Sequence, residues 1–395
     1  MVPDKDRYSV FSKIYKFIFQ AAIIAAIILF MDFVASLFLS DDLLSRLDGE
    51  HKKKVRIHSE IYSHDLVKNT RTIKRWGASY YEIITNSLGF KDGDMADVPL
   101  VSEKKRILFI GDSFTEGVGI EYPETFVGRI DRNLKSKDID VLNAGVMSYS
   151  PAIYYSKIRY LLETVGLDFD ELVVFIDLSD INNEVMAYSL DANGIVHGTD
   201  TNQAPRKKTG VSEFFRSHFM TVRLGYLLRD YFSYYGSNAL FAFQSTNGGA
   251  VKNKKVSLEV VTNLEKSAWT YDPKIWEAYG REGVARAKAN MTRLSELLAK
   301  HSITLSIAVY PWPAQVIRRE QNSRQVTIWR DWAAANQARF YNFFPAFINH
   351  EDPESVIQKN FIPFDAHWNS AGHKTIADHF LIMHSPPWVT KKAGS

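Results

Sequence analysis

The pattern of apolar and polar positions divides the chain into three parts. Residues 17–39 are apolar on every helical face, broken only by Gln20, Asp32 and Ser36. A helix of that length crosses the roughly 30 Å hydrocarbon core of a bilayer. Residues 40–103 are richer in charged and polar positions and read as a linker and N-terminal extension, with one β-prone run at 80–85 that ends in turn signals at Asn86 and Gly89. From residue 104 the pattern changes to short apolar runs alternating with segments of helical period. The runs at 107–110, 141–144, 172–178, 304–310 and 339–343 read as strands. Between the first two, Phe126, Ile130 and Leu134 recur every fourth residue, and Ile153, Ile158, Leu161, Leu162 and Val165 do nearly the same before the third. This alternation predicts an α/β fold over residues 104–385, a parallel sheet with helices on both faces.

The alternation breaks at about 185–267, a polar stretch that encloses one amphipathic candidate at 214–235. It reads as an insertion beside the sheet, with a lid, a membrane contact and a partner contact all open as roles. A long helix over 276–300 returns the chain to the sheet, and no internal repeat is visible.

Charge sets the topology. Lys5, Arg7, Lys13 and Lys16 precede the apolar segment, while Asp41, Asp42 and a single Arg46 follow it. The positive flank keeps residues 1–16 as a cytoplasmic tail and places the large domain on the other side of a cell inner membrane, in a single-pass arrangement. Asp32 is costly within a bilayer and calls for an interface position or a partner. The net charge of +3 on 395 residues, with short scattered basic runs, argues against nucleic acid as a partner. The chain has no cysteine, so disulfides, thiolate metal sites and a cysteine nucleophile are excluded.

Chemistry concentrates where the first strand ends, in Gly111-Asp112-Ser113. Gly111 permits a sharp bend, and Ser113 falls where a helix can begin and aim backbone N–H groups at its hydroxyl. A second block, Phe364-Asp365-Ala366-His367-Trp368, sets an acid and an imidazole two residues apart in a loop before the last helix. In an extended segment such residues point the same way, so Asp365 can orient His367 as a general base for Ser113. His367, His373, His379 and His384 invite a zinc reading, but His373 and His379 are about 120° apart on a helix, and no metal or other cofactor is expected. Trp312, Trp329, Trp332 and Trp368 read either as core or as the lining of a sugar pocket.

Gly111-Asp112-Ser113 at the first sheet strand, Gly145 after the second, an acidic block after the third and Asp365-x-His367 before the last helix together resemble the SGNH/GDSL hydrolases. The resemblance spans roughly residues 104–384 and implies a three-layer α/β/α, flavodoxin-like domain. It implies Ser113, Asp365 and His367 as the catalytic triad and Ser113, Gly145 and Ser179 as the oxyanion hole, where Ser179 stands in place of the usual asparagine and Asn182 or Asn183 could compensate. The Asp-x-His spacing is similar to polysaccharide O-acetyl-modifying members. The expected activity is therefore a serine esterase acting on O-acetyl groups of extracytoplasmic carbohydrate, or on an acylated small molecule. Two alternatives stay open: O-acetyl transfer to a polysaccharide, with a membrane acyltransferase as candidate partner, and a non-enzymatic assembly subunit on a decayed fold.

Overall fold

A computed structural model describes residues 5–38, 55–76, 79–198, 219, 221–222, 258–350, 352–384 and 386. They fall into two compact units. The amphipathic candidate at 214–235 lies outside the described residues except at Phe219, Thr221 and Val222.

The smaller unit is built on α1 (Lys5–Phe38), whose stretch Tyr15–Val34 is long and apolar enough to cross a membrane, a test that a signal sequence also passes. Asp32 is satisfied within this unit: its carboxylate accepts from the Thr221 N–H at 3.1 Å and from the Thr221 hydroxyl at 2.6 Å. Phe219 packs beside it on Phe33, with ring centroids 5.9 Å apart.

The larger unit opens with two antiparallel hairpins, β1 (Arg56–Ser59) with β2 (Ser63–Leu66) and β3 (Thr70–Trp76) with β4 (Ser79–Thr85). Although three of its four residues are polar, β2 is buried along its whole length. The reason is tertiary: Asp65 meets the Lys157 ammonium at 2.8 Å, and that fully buried lysine also donates to Ala144 O and the Tyr149 hydroxyl. A buried charge persists only when it is paired and hydrogen-bonded in this way.

The core sheet has five parallel strands, β5 (Lys105–Ile110), β6 (Ile139–Asn143), β7 (Glu171–Ile176), β10 (Thr304–Val309) and β11 (Arg339–Asn342), in the spatial order β11-β10-β7-β5-β6. A two-residue pair, β8 (Ser189–Leu190) and β9 (Val196–His197), forms a separate small ladder. Each of the five apolar runs is thus a core strand, within two residues at either end. Ile107 to Ile110 and the whole of β7 are buried, as strands covered on both faces require.

The main helices are α2 (Ser113–Glu116), α3 (Phe126–Leu134), α4 (Pro151–Tyr160), α5 (Asp180–Met186), α6 (Arg281–Lys300), α7 (Arg324–Ala335) and α8 (Ser370–Met383). The long helix expected over 276–300 starts with a wide turn at Trp276–Gly280 before α6 proper. The strand order reverses between β5 and β7, so the chain leaves those two neighbours toward opposite sides and opens a crevice at their carboxyl ends.

Candidate active site

Ser113 stands at that crevice. Gly111 makes the turn possible, because a Cβ there would come within 2.2 Å of Thr115 Oγ1 and 2.9 Å of Phe175 O. Asp112 then caps α2, accepting from the Phe114 N–H at 3.0 Å. The loop before α8 brings His367 to the serine, with Nε2 2.7 Å from Ser113 Oγ and Nδ1 2.5 Å from Asp365 Oδ1. Asp365 and His367 meet through a turn rather than an extended segment: Phe364 takes a left-handed φ of 62°, and the His367 N–H also donates to Asp365 Oδ1 at 3.0 Å. Phe114 stacks on the imidazole at 4.6 Å. Burial raises the Asp365 carboxyl, but hydrogen bonds from His367 and Trp76 outweigh it and hold the group at about 2. Such an array can pass a proton from the serine hydroxyl to Nε2 while the carboxylate fixes the tautomer at Nδ1.

The cleft over Ser113 has a volume of about 410 Å³ and is lined by Trp76, Met147, Ser148, Ser179, Asn183, Lys266, Trp312 and His367 among others. A larger groove of about 620 Å³, between Pro345 and His379, includes none of the paired Ser113, His367 and Asp365. Ser179 lies on the cleft wall, but its hydroxyl and N–H both donate to Asp177 Oδ1, at 2.6 and 2.7 Å. Asn183 is held more loosely, its amide 3.5 Å from Ser148 O. Gly145 sits behind the serine turn, where a Cβ would come within 2.7 Å of Thr115, and its N–H donates to Asn143 Oδ1 at 3.1 Å. Ser113, Asp365 and His367 are therefore brought together, Ser179 adjoins them, and Gly145 shapes the loop that packs on α2.

Beneath the serine lie three buried carboxylates, Asp112, Asp177 and Asp180, close enough to share a cation. Protein donors already reach most of their oxygens, with Trp312 Nε1 on Asp177 at 2.7 Å and the Tyr154 hydroxyl on Asp180 Oδ2 at 2.9 Å, while Asp180 Oδ1 is buried without a hydrogen-bond partner. Burial, and then the mutual repulsion of the group, pushes Asp112 and Asp180 well above the usual carboxylate range. The other histidines are dispersed. His373 is buried and accepts the Phe126 N–H, an orphan donor at the start of α3, on Nδ1 at 3.1 Å. His379 contacts Thr375 O, and His384 meets the Tyr341 hydroxyl. Of the tryptophans, Trp312 lines the cleft, whereas Trp329, Trp332 and Trp368 are core.

The extension over residues 55–98 adds contacts that sequence reasoning missed. Arg56 pairs with the fully buried Glu116 at 2.6 Å, and Glu116 also accepts the Met147 N–H at 2.7 Å. Lys91 donates to Gly117 O and Ile120 O at 2.7 and 2.5 Å, closing the loop after α2. Its burial pulls the ammonium down to about 7. Trp76 Nε1 donates to Asp365 Oδ2 at 2.7 Å. None of these residues belongs to a local motif; only the β-prone run at 80–85 hinted that the extension folds.

No family model matches the chain, and no curated protein matches it in sequence. Solved structures similar to it include an acetyl xylan esterase, AlAXEase, at 14% identity, with 70% of this chain and 98% of that chain covered and a TM-score of 0.38. A catalytic mutant of Axe2, an acetylxylan esterase from Geobacillus stearothermophilus, aligns at 12% identity over 72% and 95% of the chains, with a TM-score of 0.37. TesA aligns at 9% identity over 70% and 97%, with a TM-score of 0.38.

Proposed function

We propose that this protein is a serine ester hydrolase of the SGNH/GDSL type that works through an acyl-enzyme. The observation that carries the reading is the unbroken relay from Ser113 Oγ through His367 to Asp365, at 2.7 and 2.5 Å. In the first step Ser113 Oγ attacks the ester carbonyl while His367 Nε2 takes its proton, and Asp365 stabilises the imidazolium. The negative charge on the tetrahedral intermediate falls in the cleft, where the loosely held amide of Asn183 can donate to it. As the C–O bond breaks, His367 returns the proton to the leaving alcohol. Water then enters, gives a proton to His367 and attacks the acyl carbon; as the bond to Ser113 Oγ breaks, His367 returns that proton to the serine and the acid is released.

The substrate we infer is an O-acetyl group on extracytoplasmic carbohydrate. Support comes from the Trp76 and Trp312 side chains on the cleft and from the apolar stretch of α1, whose amino-terminal turns carry Lys5, Arg7 and Lys13, which suits an anchor with the large unit outside the cytoplasm. Transfer of the acyl group to a sugar hydroxyl uses the same intermediate and differs only in the second nucleophile.

Exposure to a fluorophosphonate, followed by peptide mass mapping, tests the reading. Wild type should gain the phosphonyl adduct on Ser113, Ser113→Ala should gain none, and wild type alone should release acetate from acetylated oligosaccharides. Absence of labelling and of acetate release would leave the non-enzymatic reading. Acetylated acceptor accumulating faster than free acetate would establish transfer.

A further inference from the structure

The Asp365 carboxylate has two oxygens, and only one of them serves the imidazole. Oδ1 accepts from His367 Nδ1 and the His367 N–H. Oδ2 accepts from the indole N–H of Trp76 at 2.7 Å. A carboxylate bound on one oxygen can still swing about its last side-chain bond; one bound on both cannot without breaking a charge-assisted hydrogen bond. The same indole stands edge-on to the His367 ring, with centroids 5.1 Å apart and planes at 84°. Trp76 thus touches both members of the pair.

The indole is itself fixed. Trp76 is the last residue of β3, paired with Ser79 across the hairpin. Gly119 passes so closely that a Cβ there would lie 3.2 Å from Trp76 Cδ1, and its φ of 79° is one that side-chain-bearing residues rarely adopt. Lys91, which the ring of Tyr81 on β4 faces at 5.0 Å, binds the carbonyls on either side of that glycine at Gly117 and Ile120. Hairpin and nucleophile loop are therefore locked at the point from which the indole reaches Asp365.

We propose that Trp76 is a positioning residue of the esterase, acting through Asp365 to set the orientation and basicity of His367; this rests on the serine-esterase reading above. Its N–H withdraws negative charge from the carboxylate, which then grips the imidazolium less tightly, and the doubly bound carboxylate keeps Nε2 aimed at Ser113. The hairpin extension is on this view part of the active site, although it lies outside the five-stranded sheet.

The test measures the rate of fluorophosphonate labelling of Ser113 against pH in the full chain, for wild type, Trp76→Phe, Asp365→Asn and the double variant. Trp76→Phe should slow labelling roughly tenfold, the loss of one charge-assisted hydrogen bond. Its acid limb should move to higher pH, because a more basic carboxylate retains the imidazolium. In the Asp365→Asn background the same change should have little further effect, since the group it acts on is gone. An isostere of the indole lacking the N–H, 3-benzothienylalanine at position 76, should reproduce the Trp76→Phe result with the fold undisturbed. Equal losses in both backgrounds, or an unmoved pH profile with the isostere, would overturn the proposal and leave Trp76 as a packing residue. Wild type that does not label at all would instead defeat the esterase reading, and the positioning role with it.

Discussion

The loops of the α/β unit and the hairpin extension converge on the same cleft, yet they are written into the chain differently. The loops carry their chemistry in short blocks, Gly111-Asp112-Ser113 and Asp365-x-His367, each at the end of a strand or the start of a helix. The extension contributes single residues, Arg56, Trp76 and Lys91, whose partners lie in other segments: Glu116, Asp365 and the Gly117 carbonyl. The loops provide the serine, histidine and aspartate of the proposed relay, and the extension packs against them. This difference suggests that changes in the first region remove chemistry at constant stability, while changes in the second affect stability, geometry or both.

The largest expected effect tests the first half of that division. Ser113→Ala and His367→Ala should each lower ester turnover by about 10⁴-fold or more while leaving the unfolding midpoint near wild type. A turnover loss that tracked a loss of folded protein would erase the distinction between the regions.

Next comes Arg56→Met, which strands the Glu116 carboxylate in a site it cannot leave. Truncating one partner of a buried pair costs about 3–5 kcal/mol, and urea unfolding should register it. Adding Glu116→Leu should recover part of that loss, because the double variant carries no buried unpaired charge. Failure to recover would mean that the Met147 N–H, rather than Arg56, is the partner that matters.

The oxyanion donors sharpen the comparison within the loops. Asn183→Ala should reduce turnover by about 10²-fold, the usual cost of one such donor. Ser179→Ala should change it far less, because that hydroxyl already donates to Asp177. The reverse ranking would return Ser179 to the role that its place in the motif implies.

The smallest effect concerns His373, which is buried and packs rather than reacts. His373→Ala should leave turnover close to wild type and cost about 1–3 kcal/mol, since the Phe126 N–H loses its acceptor. Burial holds the His373 imidazole well below its ordinary range. The unfolded chain therefore binds the proton first, below about pH 6.5, and stability that is complete above that pH is lost as pH falls. His373→Ala should flatten this acid slope, and urea titrations at two pH values would show it.

All five core strands and the serine, acid and histidine that the cleft brings together could be read in the chain, because each depends on neighbours in sequence. A run such as Ile107 to Ile110 announces burial on both faces, and a glycine before Ser113 announces the turn. The extension resisted the same reading for a physical reason. Asp65, Lys91 and Arg56 are charged, and charge in a polar stretch reads as a solvated surface, yet ion pairs with Lys157 and Glu116 and the carbonyls around Lys91 take all three wholly or largely out of water. Trp76 gave no sign of its role either, since what marks it is the position of Asp365, 289 residues away. The turn that joins Asp365 to His367 was likewise invisible, although the pairing itself was not.

The hydrogen bond between His367 and Ser113 spans 254 residues, and that separation has a consequence for how the protein is made. A growing chain completes the serine turn early, but it can acquire the imidazole only when all but the last helix has been synthesised. Contacts so distant in sequence form slowly, because the loop-closure entropy must be met before they contribute. Through synthesis, and through any passage across a membrane, Ser113 is an ordinary alcohol. On the esterase reading proposed above, the hydroxyl becomes a nucleophile only at the end of folding, so the chain carries its own delay against premature reaction.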